Sequence, residues 1–177
     1  AAGLIDDFER TYGPYEGWES YTDEQGVTTF EVSLDSEVYY NGAVSLRMEY
    51  DIAPGGYGGC GRSYDSPQNW SGGTGLSMRL HADRAGQYLG LNLYVDGSEE
   101  PTPFEIWFEV PPEGVDGWTL IELPWKGFTK PDWAGEGGVS EFDPSQMVSL
   151  WFGFVAEEGH NAGTVWVDDI RLTGAGF

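Results

Sequence analysis

Cysteine is almost missing from this chain. Cys60 is the single one in 177 residues, so no intrachain disulfide can form. That leaves the compartment open, because a bacterial secreted domain need not use disulfides. Basic residues are also scarce: 8 Lys+Arg stand against 30 Asp+Glu, a formal net charge of −22. Such a surface repels phosphate backbones, anionic membranes and anionic polysaccharides such as pectin. Nucleic acid and membrane are thereby excluded as partners, whereas a neutral ligand is compatible. The two histidines, His81 and His160, have no Cys or His partner at metal-ligand spacing. No run of about 18 apolar residues exists, so no helix is expected to span a membrane. No signal peptide is visible, and Ala1-Ala2-Gly3 reads as a processed end, the edge of a module from a larger secreted protein. Helical periodicity is absent. The glycine-rich segment Gly55-Gly56-Tyr57-Gly58-Gly59-Cys60-Gly61 leads to no helix, which excludes a phosphate loop. No Gly-x-Ser-x-Gly elbow occurs.

Aromatic residues, in contrast, are abundant. They make up 15% of the chain, with 8 Trp, 10 Tyr and 9 Phe. A core of this size does not need so many, so some rings belong on the surface, where they usually mean binding. The length fits one domain spanning residues 1–177, large enough to bury about two-thirds of its unfolded surface. Gly 27 and Pro 10 are scattered at short intervals, as in an all-β domain with many turns.

Four runs alternate with period two. Leu76, Met78, Leu80 and Ala82 oppose Ser77, Arg79 and His81. Leu89, Leu91, Leu93 and Val95 oppose Tyr88, Gly90, Asn92 and Tyr94. Phe104, Ile106, Phe108 and Val110 oppose Glu105, Trp107 and Glu109. Val148, Leu150, Phe152 and Phe154 oppose Ser149, Trp151 and Gly153. Further strands are expected at 4–9, 28–34, 43–51, 58–64, 118–123 and 164–172. About ten short strands separated by turns predict an all-β, two-sheet antiparallel β-sandwich or jelly roll.

The outward faces carry the functional signal. Water would select small polar residues there. Instead these strands put out Arg79, His81, Tyr88, Asn92, Tyr94, Glu105, Trp107 and Trp151. On one sheet they would form a mixed aromatic and hydrogen-bonding surface. Sugars need that mixture, because rings stack on their C–H faces while amides, carboxylates and Arg meet their hydroxyls. An isolated aromatic could equally pack under a loop or a partner domain, so the argument rests on the set. Acidic residues pose a different choice. Asp7 and Glu9 are two apart on an expected strand, so both point one way, and Asp168 lies on the terminal strand. With a carbonyl near Asn41-Gly42 they could hold Ca²⁺, which takes about six to eight oxygens; they could equally be solvated acids at strand edges. Catalysis is weakly signalled. A glycosidase needs two carboxylates about 5 to 9.5 Å apart, and chance pairs are expected among 30 acids. Glu105 and Glu109 share a strand face, and Glu122, Glu157 and Glu158 are also available. Cys60 reads as a small buried residue, and the glycines around it as places where the backbone lies close to a neighbour or ligand.

Several segments in order then matter: Leu4-Ile5-Asp6-Asp7-Phe8-Glu9, Gly17-Trp18-Glu19-Ser20-Tyr21, Gly56-Tyr57-Gly58-Gly59, Trp118-Thr119-Leu120-Ile121-Glu122-Leu123-Pro124-Trp125-Lys126-Gly127-Phe128, and Val165-Trp166-Val167-Asp168-Asp169-Ile170-Arg171-Leu172. Together they resemble the family 11 carbohydrate-binding modules and related sandwich modules of plant-cell-wall-degrading enzymes. The resemblance spans nearly the whole chain. It implies a galactose-binding-domain-like jelly roll with structural calcium, and a concave-sheet cleft for β-1,4- or mixed-linked β-1,3-1,4-glucans. It places the family's cleft tyrosines at Tyr21 and Tyr57. Its Arg and Tyr fall near Lys130 and Trp133, and its late-strand His near Trp151. Its late-strand Tyr falls at Phe154, which lacks the hydroxyl and reads as core. Lys130 for Arg loses a planar hydrogen-bonding fork, while the two tryptophans enlarge the stacking area.

The expectation is a secreted, monomeric, non-catalytic module that tethers a covalently linked glycoside hydrolase to a neutral polysaccharide. The expected ligand-binding residues are Tyr21, Tyr57, Arg79, His81, Asn92, Tyr94, Glu105, Trp107, Lys130, Trp133 and Trp151. The expected calcium ligands, favoured by the resemblance, are Asp7, Glu9, Asn41 and Asp168. The alternatives are a jelly-roll glycoside hydrolase or lyase, and an adhesion module with a protein-docking face.

Overall fold

The computed structural model describes residues 3–9 and 17–174; Ala1 and Ala2, read above as a processed end, lie outside them. In chain order the strands are β1 (Leu4–Asp6), β2 (Trp18–Thr22), β3 (Thr29–Asp35), β4 (Ser45–Ile52), β5 (Tyr57–Gln68), β6 (Gly75–Ala82), β7 (Tyr88–Val95), β8 (Thr102–Glu109), β9 (Thr119–Pro124), β10 (Met147–Val155) and β11 (Asn161–Thr173). Among the described residues one short helix, α1 (Glu113–Asp116), and three 3-10 turns lie between them.

The strands form two antiparallel sheets. One runs β3-β4-β11-β6-β9, with β1 added along β11. The other runs β2-β5-β10-β7-β8. The alternating leucines, valines and phenylalanines put one face of β4, β6, β7 and β10 inside. Leu46, Met48, Leu80, Leu91, Phe152 and Val167 are all fully buried in a single cluster between the sheets. Phe154 stacks on Tyr50 at 4.2 Å between ring centroids, so it is core. Cys60 is buried there too, and burial pushes its thiol up.

Two expectations about the chain ends and early strands change. The strand expected over 4–9 stops at Asp6, because Phe8 adopts a left-handed conformation with φ 64°. Asp7 and Glu9 are therefore not alternate residues of one strand. A strand not foreseen, β2, forms at Trp18–Thr22 against β5. It buries only Trp18, so its sequence carries no alternation.

Strand order decides which outward faces share a surface. β7, β8 and β10 lie in one sheet, but β6 lies in the other, between β11 and β9. Arg79 and His81 therefore point away from the face that carries Trp107 and Trp151. The guanidinium of Arg79 sits 4.4 Å from the Tyr40 ring centre. His81 lies between Trp118 and Trp166, and its Nδ1–H donates to the carbonyls of Gly114 and Gly117 at 2.8 and 2.7 Å. This histidine pins α1 to the sheet. Both residues are corrected from ligand binding to structural roles.

Candidate functional site

The β2-β5-β10-β7-β8 sheet carries a cleft of about 670 Å³ on its outer face. Its lining brings together Tyr21, Tyr57, Asn92, Tyr94, Glu105, Trp107, Trp133 and Trp151, with Gly153 and Val155 beside them. Eight of the eleven expected ligand residues thus meet in one place, drawn from five strands and one loop.

The floor follows from the register. Tyr21 pairs with Gly59, Gly59 with Gly153, Gly153 with Gly90, and Gly90 with Trp107. Three glycines in a row across the middle strands leave a trough between a tyrosine and a tryptophan. The rings rest on such glycines. A Cβ at Gly90 would meet three atoms of the Trp107 indole at 2.9–3.0 Å, and one at Gly61 would meet the Trp151 indole at 2.4 and 2.5 Å. The Tyr21 hydroxyl reaches over Gly59 towards Gly153, at 2.8 and 3.3 Å from the corresponding Cβ positions. Removing the Cβ lets a ring lie down on the sheet rather than stand up from it. The aromatic set is also mutually packed: Tyr21 meets Trp151 edge-on at 5.7 Å and Tyr57 at 6.3 Å.

The next row holds Trp151, Asn92 and Glu105, paired in that order. Asn92 Oδ1 is buried and has no hydrogen-bond partner. Among the described residues no group donates to it; a buried acceptor left unpaired costs about 1 to 3 kcal/mol, and a ligand hydroxyl can supply the donor. Burial raises the Tyr21 phenol to about 12, helped by Cys60, Tyr94 and Tyr57; burial and then Glu105 raise that of Tyr94. Both hydroxyls therefore stay protonated at neutral pH and can donate or accept hydrogen bonds.

Loops set the rims. Glu105 and Thr129 exchange backbone hydrogen bonds of 2.8 and 2.9 Å, which lays the following segment along β8. That segment ends in the 3-10 turn Asp132–Ala134, which presents Trp133 at 65% exposure. Lys130 does not line the cleft: its ammonium donates to the Gly137 carbonyl and closes the loop that carries Trp133. On the other rim, the Asp23 carboxylate accepts from Tyr57 N at 3.0 Å, Thr28 Oγ1 at 2.7 Å and Gln25 N at 2.9 Å. These bonds, Thr28 first, hold its carboxyl below the usual range.

Sequence reasoning placed a close approach at the glycines around Cys60, where Gly59 and Gly61 lie under Tyr21 and Trp151, but missed Asp23 and the continuation of the floor through Gly153 and Gly90. Glycines at outward positions of an otherwise alternating strand, Gly90 and Gly153, were the available signal for the floor. Asp23 gave none, because the partner that ties it to the cleft rim, Tyr57 N, is a backbone group of a distant strand, while Thr28 and Gln25 are local.

The expected cation site divides. Glu9 Oε1 accepts from Ala43 N and Val44 N at 2.9 and 3.1 Å, and Asp168 Oδ2 from Tyr40 N and Asn41 N at 3.0 and 3.1 Å. Both carboxylates therefore converge on the 40–44 loop. Asp168 is fully buried, which pushes its carboxyl up to about 6 against the N–H bonds of Asn41, Tyr40 and Asp169. Asp7 instead accepts from Glu9 N at 3.2 Å, and Asn41 Oδ1 from Gly42 N at 3.0 Å. Among the described residues no three His, Cys, Asp or Glu side chains gather as a metal site.

Glycoside hydrolysis needs two carboxylates about the scissile bond, yet among the described residues the cleft lining contains one, Glu105. No described helix is long and apolar enough to cross a membrane.

Known proteins place this geometry. No curated protein sequence matches the chain. Among solved structures, a family 11 carbohydrate-binding module from Clostridium thermocellum in complex with a β-1,3-1,4-mixed-linked tetrasaccharide superposes with a TM-score of 0.76 at 19% identity, over 98% of this chain and 95% of that one. A family 30 carbohydrate-binding module of the cellulosomal cellulase Cel9D-Cel44B of Clostridium thermocellum gives 0.64 at 18% identity, over 89% and 92%. These likenesses establish the fold, two antiparallel sheets as expected. The sequence model for the carbohydrate binding domain of family 11 matches residues 1–175. A chain with this cleft, one carboxylate in its lining and that match over nearly its whole length belongs to the family 11 carbohydrate-binding domains, which bind carbohydrate and do not cut it.

Proposed function

We propose that the domain binds a neutral β-glucan, β-1,4- or mixed-linked β-1,3-1,4-, along the glycine-floored cleft. It acts outside the cell as a monomeric tether for a covalently linked glycoside hydrolase. The observation that carries this reading is the arrangement of Trp107 and Trp151 flat over Gly90 and Gly61, with the unpaired Asn92 Oδ1 in the row between Trp151 and Glu105. Flat rings accept the C–H faces of a pyranose, and the amide and carboxylate meet its hydroxyls. Each ring contributes about 1 kcal/mol beyond burial and each hydrogen bond about 1 kcal/mol. Micromolar binding needs about 8 kcal/mol, within reach of Tyr57, Trp107, Trp133 and Trp151 plus three or four hydrogen bonds. The mixed-linked tetrasaccharide held by the similar module supports the choice of ligand.

Affinity gels containing barley β-glucan, xyloglucan, laminarin, mannan or xylan test it. Retardation by barley β-glucan, lost in Trp107→Ala and Trp151→Ala, is the expected result. Undiminished retardation in both variants overturns the cleft, and retardation by mannan or xylan alone overturns the ligand.

We also propose a structural Ca²⁺ between Glu9, Asp168 and the 40–44 loop. Two carboxylates on one loop support it, with backbone carbonyls and water completing the shell.

A further inference from the structure

We propose that Tyr88 forms an additional sugar subsite outside the cleft, taking the next residue of the same glucan chain; this deepens the function proposed above and rests on it. Tyr88 does not line the cleft, yet it is 50% exposed and its ring lies nearly parallel to Trp107, at 5.5 Å between centroids and 18° between planes. Nearly parallel rings at this separation are offset-stacked, so Tyr88 packs one face against Trp107 and, being half exposed, turns the other towards a ligand. Its position has the same meaning. Tyr88 precedes Gly90 by two residues on β7, and Val155 follows Gly153 by two on the antiparallel neighbour, where Gly90 and Gly153 are paired. Both therefore point to the same face at the same end of the cleft. Val155 in turn pairs with Tyr57. Tyr57, Val155 and Tyr88, all exposed, make an apolar shoulder beyond the glycine floor. A polar group is at hand, because Glu109 pairs with Tyr88 on the edge strand β8 and is exposed. A stacking ring with a carboxylate beside it is the combination a glucosyl residue uses. In a chain of net charge −22 this shoulder suits a neutral occupant and disfavours an acidic one.

Titration calorimetry with a mixed-linked β-1,3-1,4-gluco-tetrasaccharide and the corresponding hexasaccharide tests this on the whole domain. The wild type is expected to bind the hexasaccharide more tightly. Tyr88→Ala is expected to weaken hexasaccharide binding about threefold to tenfold, the contribution of one stacked ring. It should leave the tetrasaccharide within twofold of wild type, and Tyr88→Phe should retain both affinities. Equal loss at both lengths would mean that Tyr88 only props Trp107, and would overturn the subsite. So would equal affinity of wild type and Tyr88→Ala for the hexasaccharide. Failure of the wild type to bind either length overturns the proposed function itself, and the subsite with it.

Discussion

The indole of Trp107 lies on Gly90, close enough that a Cβ there would sit 2.9–3.0 Å from three of its atoms. The two residues are cross-strand partners on β8 and β7. A glycine that weakens a strand by itself thus sets the tilt of a ring on its neighbour. Gly90→Ala is compatible with the strand backbone, and the obstruction is a side chain that can rotate away. The expected outcome is glucan affinity lowered about tenfold in affinity gels, with stability changed by about 1 kcal/mol or less on urea unfolding. Unchanged affinity would detach ring tilt from binding. Gly59→Ala is a different case, because its Cβ would meet the Phe152 carbonyl at 2.0 Å. That contact is backbone, so the sheet itself would have to move.

Much of this was legible in the chain and some was not, for a physical reason. β4, β6, β7 and β10 announce themselves because one face of each is buried, and burial imposes period two; in β8 Ile106 and Phe108 pack on the core while only partly buried. β2 does not announce itself, since only Trp18 goes inside. Alternation also identifies which side chains point outward, but it cannot say which outward faces are shared. Arg79 and His81 obey the same pattern as Asn92 and Trp107, yet strand order puts β6 in the other sheet. Lys130 shows the same limit for loops: residue type predicted a polar contact, and the contact is to Gly137 rather than to the cleft.

Asn92 links stability to binding. Its Oδ1 is buried without a partner in the free domain, a deficit that an apolar residue of similar volume would remove. Asn92→Leu is expected to raise the melting temperature by about 2 to 4 °C, the shift for about 1 kcal/mol in a domain of this size. It should weaken glucan binding about tenfold, because a sugar hydroxyl loses its acceptor. A variant less stable than the wild type but equally able to bind would show that the amide serves the fold and not the ligand.

Acid should act on the Tyr57 rim through Asp23. Its carboxyl lies below the usual range because Thr28 Oγ1 and the amides of Gln25 and Tyr57 donate to the charged form. A depressed folded value means the stabilisation is fully present above the unfolded carboxylate value, about 3.9. It is lost as pH falls through the lower folded value. Melting temperatures of wild type and Asp23→Asn should therefore differ at pH 6 and converge as the pH drops below about 4. A difference that persists undiminished at pH 2 would mean that the charge of Asp23 contributes nothing.

The proposed calcium makes a separate prediction, because Glu9 and Asp168 hold the 40–44 loop from two directions. That loop lies near the bulge between Asp168 and Arg171, where β4 stops pairing with β11 and β1 begins. A cation there would tie the first strand to the last. Among the described residues Asp168 has no ion-pair partner, so a cation would also neutralise a buried charge. At a free Ca²⁺ concentration of about 100 times its Kd, the folded state gains about 2.7 kcal/mol. For a domain of this size that is a rise of about 5 to 10 °C in melting temperature over the EDTA-treated protein. Glu9→Gln should lose most of that response while its melting temperature in EDTA stays close to wild type. Glucan affinity in EDTA at 25 °C should be unchanged, since neither carboxylate lines the cleft. Identical melting with Ca²⁺ and with EDTA would remove the cation and leave the two carboxylates as loop clamps made only of backbone hydrogen bonds.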